Sequence, residues 1–151
     1  MNRLLSAPIM VRQGHMLAVL AEEAIALNID PMKLPVLPAG ILQFLVGEEA
    51  GRAWGDRLIE VMKAKEEGRP APPYSSDEAA AAETPHDLDK IIGALLSAGV
   101  TLKLDLMTMF MLGKHLTFRL GGEQAGAKYV EKVTALMEMT QALQKLDKAC
   151  R

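Results

Sequence analysis

A single cysteine, Cys150, stands in this chain of 151 residues. One thiol excludes an internal disulfide and any cysteine-cluster zinc site. Aromatic residues are scarce, at 4%, so Leu, Ile, Val, Ala and Met must build the core. Neither sign of charge dominates: 17 Lys and Arg oppose 19 Asp and Glu, for a formal net charge of -2. No basic field is present to hold nucleic acid through counterion release. No apolar run approaches the roughly 18 residues that a membrane helix needs, and the start, MNRLLSAPIMVRQG, lacks the apolar stretch and cleavage site of a signal peptide. A cytoplasmic protein with no membrane span and no nucleic-acid partner is expected. Phosphate-loop, dinucleotide, hydrolase-elbow and zincin motifs are all missing. His15, His86 and His115 form no ligand-spaced pair. The sequence therefore offers no motif for catalysis, no cofactor and no metal site.

Half of the residues are apolar, enough for one domain with its own core. Residues 68–86 form a flexible linker that gathers four of the eight prolines. Within it, Ser75 and Glu78 have capping-box spacing and predict a short helix over 76–83. Thr84, Pro85 and Asp87 then read as an N-cap, a first-turn proline and a first-turn acid, opening a helix through Leu96 that ends at Ala98-Gly99. Ahead of the linker, Leu17, Leu20, Ala24 and Leu27 predict a helix over about 14–28, stopped by Asp30-Pro31. A prolyl stretch from Met32 to Pro38 leads into a helix from about Ala39 to Glu66. Gly47, Gly51 and Gly55 lie four apart within that helix. They mark a break or a close internal packing face, with packing against a second copy as the alternative.

Beyond the linker the period changes. Val100, Leu102, Leu104 and Leu106 alternate with polar residues, as do Leu116, Phe118 and Leu120, which is the signature of half-buried strands. A further short strand is possible at Pro8 to Arg12. Val133, Leu136, Met139, Leu143, Leu146 and Cys150 then fall at steps of three and four, which predicts an amphipathic C-terminal helix. A stripe of this kind needs a partner, so these residues are the candidate interface of a homo-oligomer or a protein complex. The element order favours an α/β fold, a small sheet flanked by helices; the alternative is a mostly α fold with one β-hairpin. Alternating Met107, Met109 and Met111 could offer thioethers to Cu(I), but methionine also fills cores and adaptable interaction surfaces, and that reading is preferred. Cys150 is a weak thiol candidate, since it has no CxxC partner and no adjacent base.

The segment GVTLKLDLMTMFMLG resembles the signature region of the DsrE-like family, small α/β proteins of bacterial sulfur relay. The match rests on Gly99, Val100, Leu102, Met107, Thr108, Met109, Leu112 and Gly113. The resemblance implies a parallel strand over 99–106, a ligand site around Asp105, Met107, Met109 and Gly113, and an oligomer that binds protein partners. Two departures qualify it. Asp105 stands where sulfur-carrying members place a cysteine, and a carboxylate cannot hold a persulfide. The chain also ends in a long helix where the family has a strand. The expected function is thus a non-catalytic or chemically altered DsrE-like binding protein in sulfur relay. The alternative is a mostly helical adaptor or regulatory protein that acts through protein contacts.

Overall fold

A computed structural model describes residues 8–73 and 75–150. The first seven residues, on which the reading of a missing signal peptide partly rested, lie outside the described part. The elements run β1 (Met10–Arg12), α1 (Gln13–Ala26), α2 (Val36–Leu45), α3 (Glu48–Glu66), α4 (Ser76–Glu83), β2 (Pro85–Asp87), α5 (Leu88–Thr101), α6 (Leu106–Gly121) and α7 (Glu123–Ala149). Helices α1, α2, α5 and α6 enclose the core, where Met16, Leu37, Ile41, Ile91, Leu112 and Leu116 are wholly buried. Helix α3 packs on α2, and α7 packs on α6. The only strands among the described residues are β1 and β2, paired antiparallel with Val11 opposite His86. The fold is therefore mostly α with one two-stranded ladder, and the expectation of an α/β sheet is corrected.

The strands expected at 99–106 and 115–120 are helix and turn. Residues 100 and 101 finish α5, residues 102–103 turn with Lys103 at φ 59, and α6 begins at Leu106 under the cap of Asp105. The alternation of apolar residues here is an accident of the helix junction: Val100 is 69% and Leu106 is 80% exposed, so no strand face forms. Along α6 the buried set is Met109, Leu112, Gly113, Leu116 and Thr117. Those spacings belong to a helix, and reading Leu116, Phe118 and Leu120 as a separate strand concealed them. The parallel strand that the DsrE-like resemblance expected is thus absent.

Elsewhere local rules set the helix ends, in part where the sequence placed them. Asn28, at φ 56, ends α1 in the left-handed region that asparagine tolerates. The helix expected from Ala39 to Glu66 is broken at Gly47, whose φ of 132 is open to glycine alone, so α2 and α3 are separate. At Gly51 a Cβ would come within 2.7 Å of the Ala39 carbonyl, so glycine there lets α3 lie against α2, while Gly55 faces open space. The capping box forms at α4, with the Glu78 amide donating to Ser75 Oγ at 3.1 Å and the Ser75 amide donating to Glu78 Oε1 at 3.2 Å. The N-cap of α5 is Asp87, not Thr84, because residues 85–87 pair with β1 first; its carboxylate accepts from the Asp89 amide. The helix then runs on past Ala98-Gly99 to Thr101.

Two reciprocal contacts join α6 to α7. The ring of Tyr129 on α7 lies over Gly113 of α6, and the ring of Phe118 on α6 lies over Gly126 of α7; a Cβ at either glycine would overlap the facing ring. Gly122, at φ 92, makes the corner between the two helices.

Candidate functional site

Helix α7 has 27 residues and its antiparallel neighbour α6 has 16. At 1.5 Å per residue, α7 runs about 16 Å past the start of α6. Its first turns are anchored: Gly126 and Tyr129 are buried and Val133 is half-buried. From Thr134 to Cys150 every residue is exposed. Of the expected interface residues, Val133 is anchored on the packed part and the other four lie here, with Leu136 59%, Met139 60%, Leu143 60% and Leu146 61% exposed. They follow a 3-4-3 spacing that Cys150 continues, the a and d pattern of a heptad repeat. Ala135, Ala142 and Ala149, seven apart, line one flank of this seam.

A second feature is a cavity of about 630 Å³ between α1, α2, α3 and α4. Its walls are Leu17 and Ala18 of α1, Leu42 of α2, Ala50, Ala53 and Trp54 of α3, and Ala79, Ala81 and Ala82 of α4. Gln13, Arg57 and Glu78 add polar groups at its edge. Helix α4 can lie this close because Gly14 has no side chain; a Cβ there would meet Ala82 at 3.2 Å. Arg57 fastens the chain ahead of α4: its guanidinium donates to the Pro72 and Pro73 carbonyls and pairs with Glu78 at 3.4 Å. Gln13 is 8% exposed, and its Oε1 lies 2.9 Å from Nε2 of His86. Burial holds the His86 imidazole below its ordinary pKa, so the neutral ring with Nε2–H donating is favoured.

A third feature ties α1 to α6. Glu23 bonds His115 Nδ1 at 2.7 Å and Arg119 at 3.1 Å, and Arg119 also reaches Glu22 at 3.0 Å. Burial by itself would raise the Glu23 carboxyl, but the bonds from His115 and Arg119 outweigh it and hold the group below the usual carboxylate range. The same bonds to Glu22 and Glu23 raise Arg119.

The four expected ligand residues do not gather at a cavity. Asp105 is the N-cap of α6, its carboxylate accepting from the Thr108 amide at 2.7 Å, and that bond lowers its pKa. Met107 is exposed, Met109 is buried against Gly99, and Gly113 lies beneath Tyr129. Cys150 is exposed at the end of α7. Among the described residues no cluster of three metal-ligating side chains occurs, and no helix is long and apolar enough to cross a membrane. Sequence reasoning missed Gln13, Trp54, Arg57 and His86 as a group, because they come together only through tertiary packing; the lone tryptophan was the one available signal. No protein-family model, curated protein or solved structure matches the chain.

Proposed function

We propose that this protein is a helical binding module of the adaptor type, which acts through protein contacts made by α7, and that α7 pairs antiparallel with α7 of a second copy. The observation that carries this reading is the seam from Leu136 to Cys150, exposed along its whole length. A helical segment of this size is marginal in water unless its apolar face is packed. A DsrE-like function would need a parallel strand where α5 and α6 meet, and residues 99–106 form a helix end, a turn and a helix start there.

The seam suits its own copy. With Gln141 at the centre, antiparallel pairing sets Leu136 against Leu146 and Met139 against Leu143, and the alanine column meets its own equivalent, which allows close approach. Parallel pairing would set the alanines against Thr140 and Asp147 instead. Full burial of a leucine or methionine contributes about 1.5–3 kcal/mol, so side chains that are already partly covered contribute about 1–2 each. Eight of them give roughly 8–16 kcal/mol against an association cost of about 4–15. The mid-range surplus is a few kcal/mol, so weak, concentration-dependent pairing is expected. Sedimentation equilibrium tests it: the native chain should show a monomer–dimer equilibrium, and Leu143→Glu should be monomeric at every concentration. A native chain that stays monomeric, or a variant that dimerises equally well, overturns the reading.

A further inference from the structure

The cavity beneath α4 is separate from the α7 seam and from the Glu23 cluster. We infer that it is a binding site for a small neutral molecule with an apolar body and one hydrogen-bond acceptor. Its volume of about 630 Å³ lies within the 300–1,000 Å³ of small-molecule pockets, and its make-up matches theirs: mostly apolar walls with a few placed polar groups. Helix α4 leaves the space open because it presents alanines, whose side chains are too short to fill it.

The polar handle is Gln13. Its residue is more than nine-tenths buried and lines the cavity. Its Oε1 is taken by His86, and its amide nitrogen donates to no described protein group. That nitrogen is not sealed from solvent, so at the cavity it is satisfied by water or by a ligand oxygen. Trp54 supplies a flat apolar face for a ring. Arg57 does not call for an anion, since its guanidinium already meets Glu78 and two backbone carbonyls. The ligand class that fits is therefore neutral: an aromatic or alicyclic ketone, ester or amide.

Prodan, a neutral naphthalene with one ketone, is a suitable probe, and Trp54 is the only tryptophan in the chain. The full-length protein should bind one prodan saturably, with a blue shift of the probe and quenching of Trp54 fluorescence. Gln13→Met keeps the side-chain length but removes the donor, and should weaken binding about three- to tenfold, the worth of one hydrogen bond. Ala81→Phe fills the space and should abolish binding; should that variant fail to fold, Gln13→Met and the Trp54 signal decide. Leu143→Glu, which disables the seam, should bind as the native chain does, so that this site and the dimer stand or fall separately. Absence of saturable binding overturns the assignment. So does binding lost in Leu143→Glu, and displacement of prodan by laurate overturns the neutral class.

Discussion

Four glycines in helices should respond to alanine with opposite signs, because only two of them are under another side chain. In an open helical position Gly→Ala contributes about 1 kcal/mol of stability, through lower chain entropy when unfolded and better helix propensity. A Cβ at Gly55 of α3 or Gly93 of α5 would meet none of the described residues within 4 Å, so Gly55→Ala and Gly93→Ala should each stabilise by about 1 kcal/mol. At Gly113 the methyl would overlap the Tyr129 ring, which is 7% exposed and has nowhere to move. Overpacking of that kind costs about 1–3 kcal/mol. Taking the upper part of that range and subtracting the helix gain leaves Gly113→Ala about 2 kcal/mol less stable. At Gly126 the facing ring is Phe118, which is 38% exposed and can swing outward, so Gly126→Ala should be near neutral. In a chain of this size 1 kcal/mol moves Tm by about 2–4 °C. Thermal unfolding followed by far-ultraviolet circular dichroism should thus rank Gly55→Ala and Gly93→Ala above the native chain, Gly126→Ala beside it, and Gly113→Ala about 4–8 °C below. If all four alanines raise Tm alike, the tyrosine-over-glycine packing of α6 on α7 is refuted.

Tyr129 itself offers a second test: its buried hydroxyl has no hydrogen-bond partner among the described residues, and burial raises its pKa. An unsatisfied hydroxyl costs about 1–3 kcal/mol, so Tyr129→Phe should raise stability by about 1 kcal/mol in urea unfolding; a loss of that size would show that the hydroxyl is bonded. The Glu23 cluster sets a pH dependence. Because the folded carboxyl lies below its ordinary value of 4.5, its contribution is complete above that value and is lost as pH falls through the folded pKa. Stability of the native chain should drop more steeply below pH 4.5 than that of Glu23→Gln; parallel curves for the two would remove Glu23 as the cause.

Much of the fold was legible locally and little of it at long range. The capping box of Ser75 and Glu78, a break among the glycines of the 39–66 segment and the stripe of α7 each depend on residues within a turn or two of one another, and each appears as expected; α1 instead stops at Ala26, with Asn28 in the left-handed region, ahead of the expected stop at Asp30-Pro31. The strands at 99–106 and 115–120 failed because a period of two over a few residues does not distinguish a strand from two helix ends joined by a turn; the exposure of Val100 and Leu106 is visible only once α5 and α6 are placed. Thr84 was chosen as a cap over Asp87 because the pairing of residues 85–87 with β1 joins segments far apart in the chain. The seam on α7 could be read as a stripe, yet the exposure of its Met139 to Leu146 part follows from α7 outrunning α6, which is a matter of lengths. The cavity was not legible at all: Gln13, Trp54, Arg57 and Glu78 come from three helices, and no local pattern brings them together.

The antiparallel pairing of α7 is tested most directly by a spin label on Cys150, the single native thiol, which is exposed at the end of the helix. With Gln141 at the centre the two labelled positions lie at opposite ends of the seam, about 27 Å apart along the helix axis. Double electron–electron resonance on the native chain should return an intermolecular distance of about 30 Å that disappears in Leu143→Glu. No intermolecular coupling, or a distance short enough to place the two Cys150 labels side by side, would contradict the account.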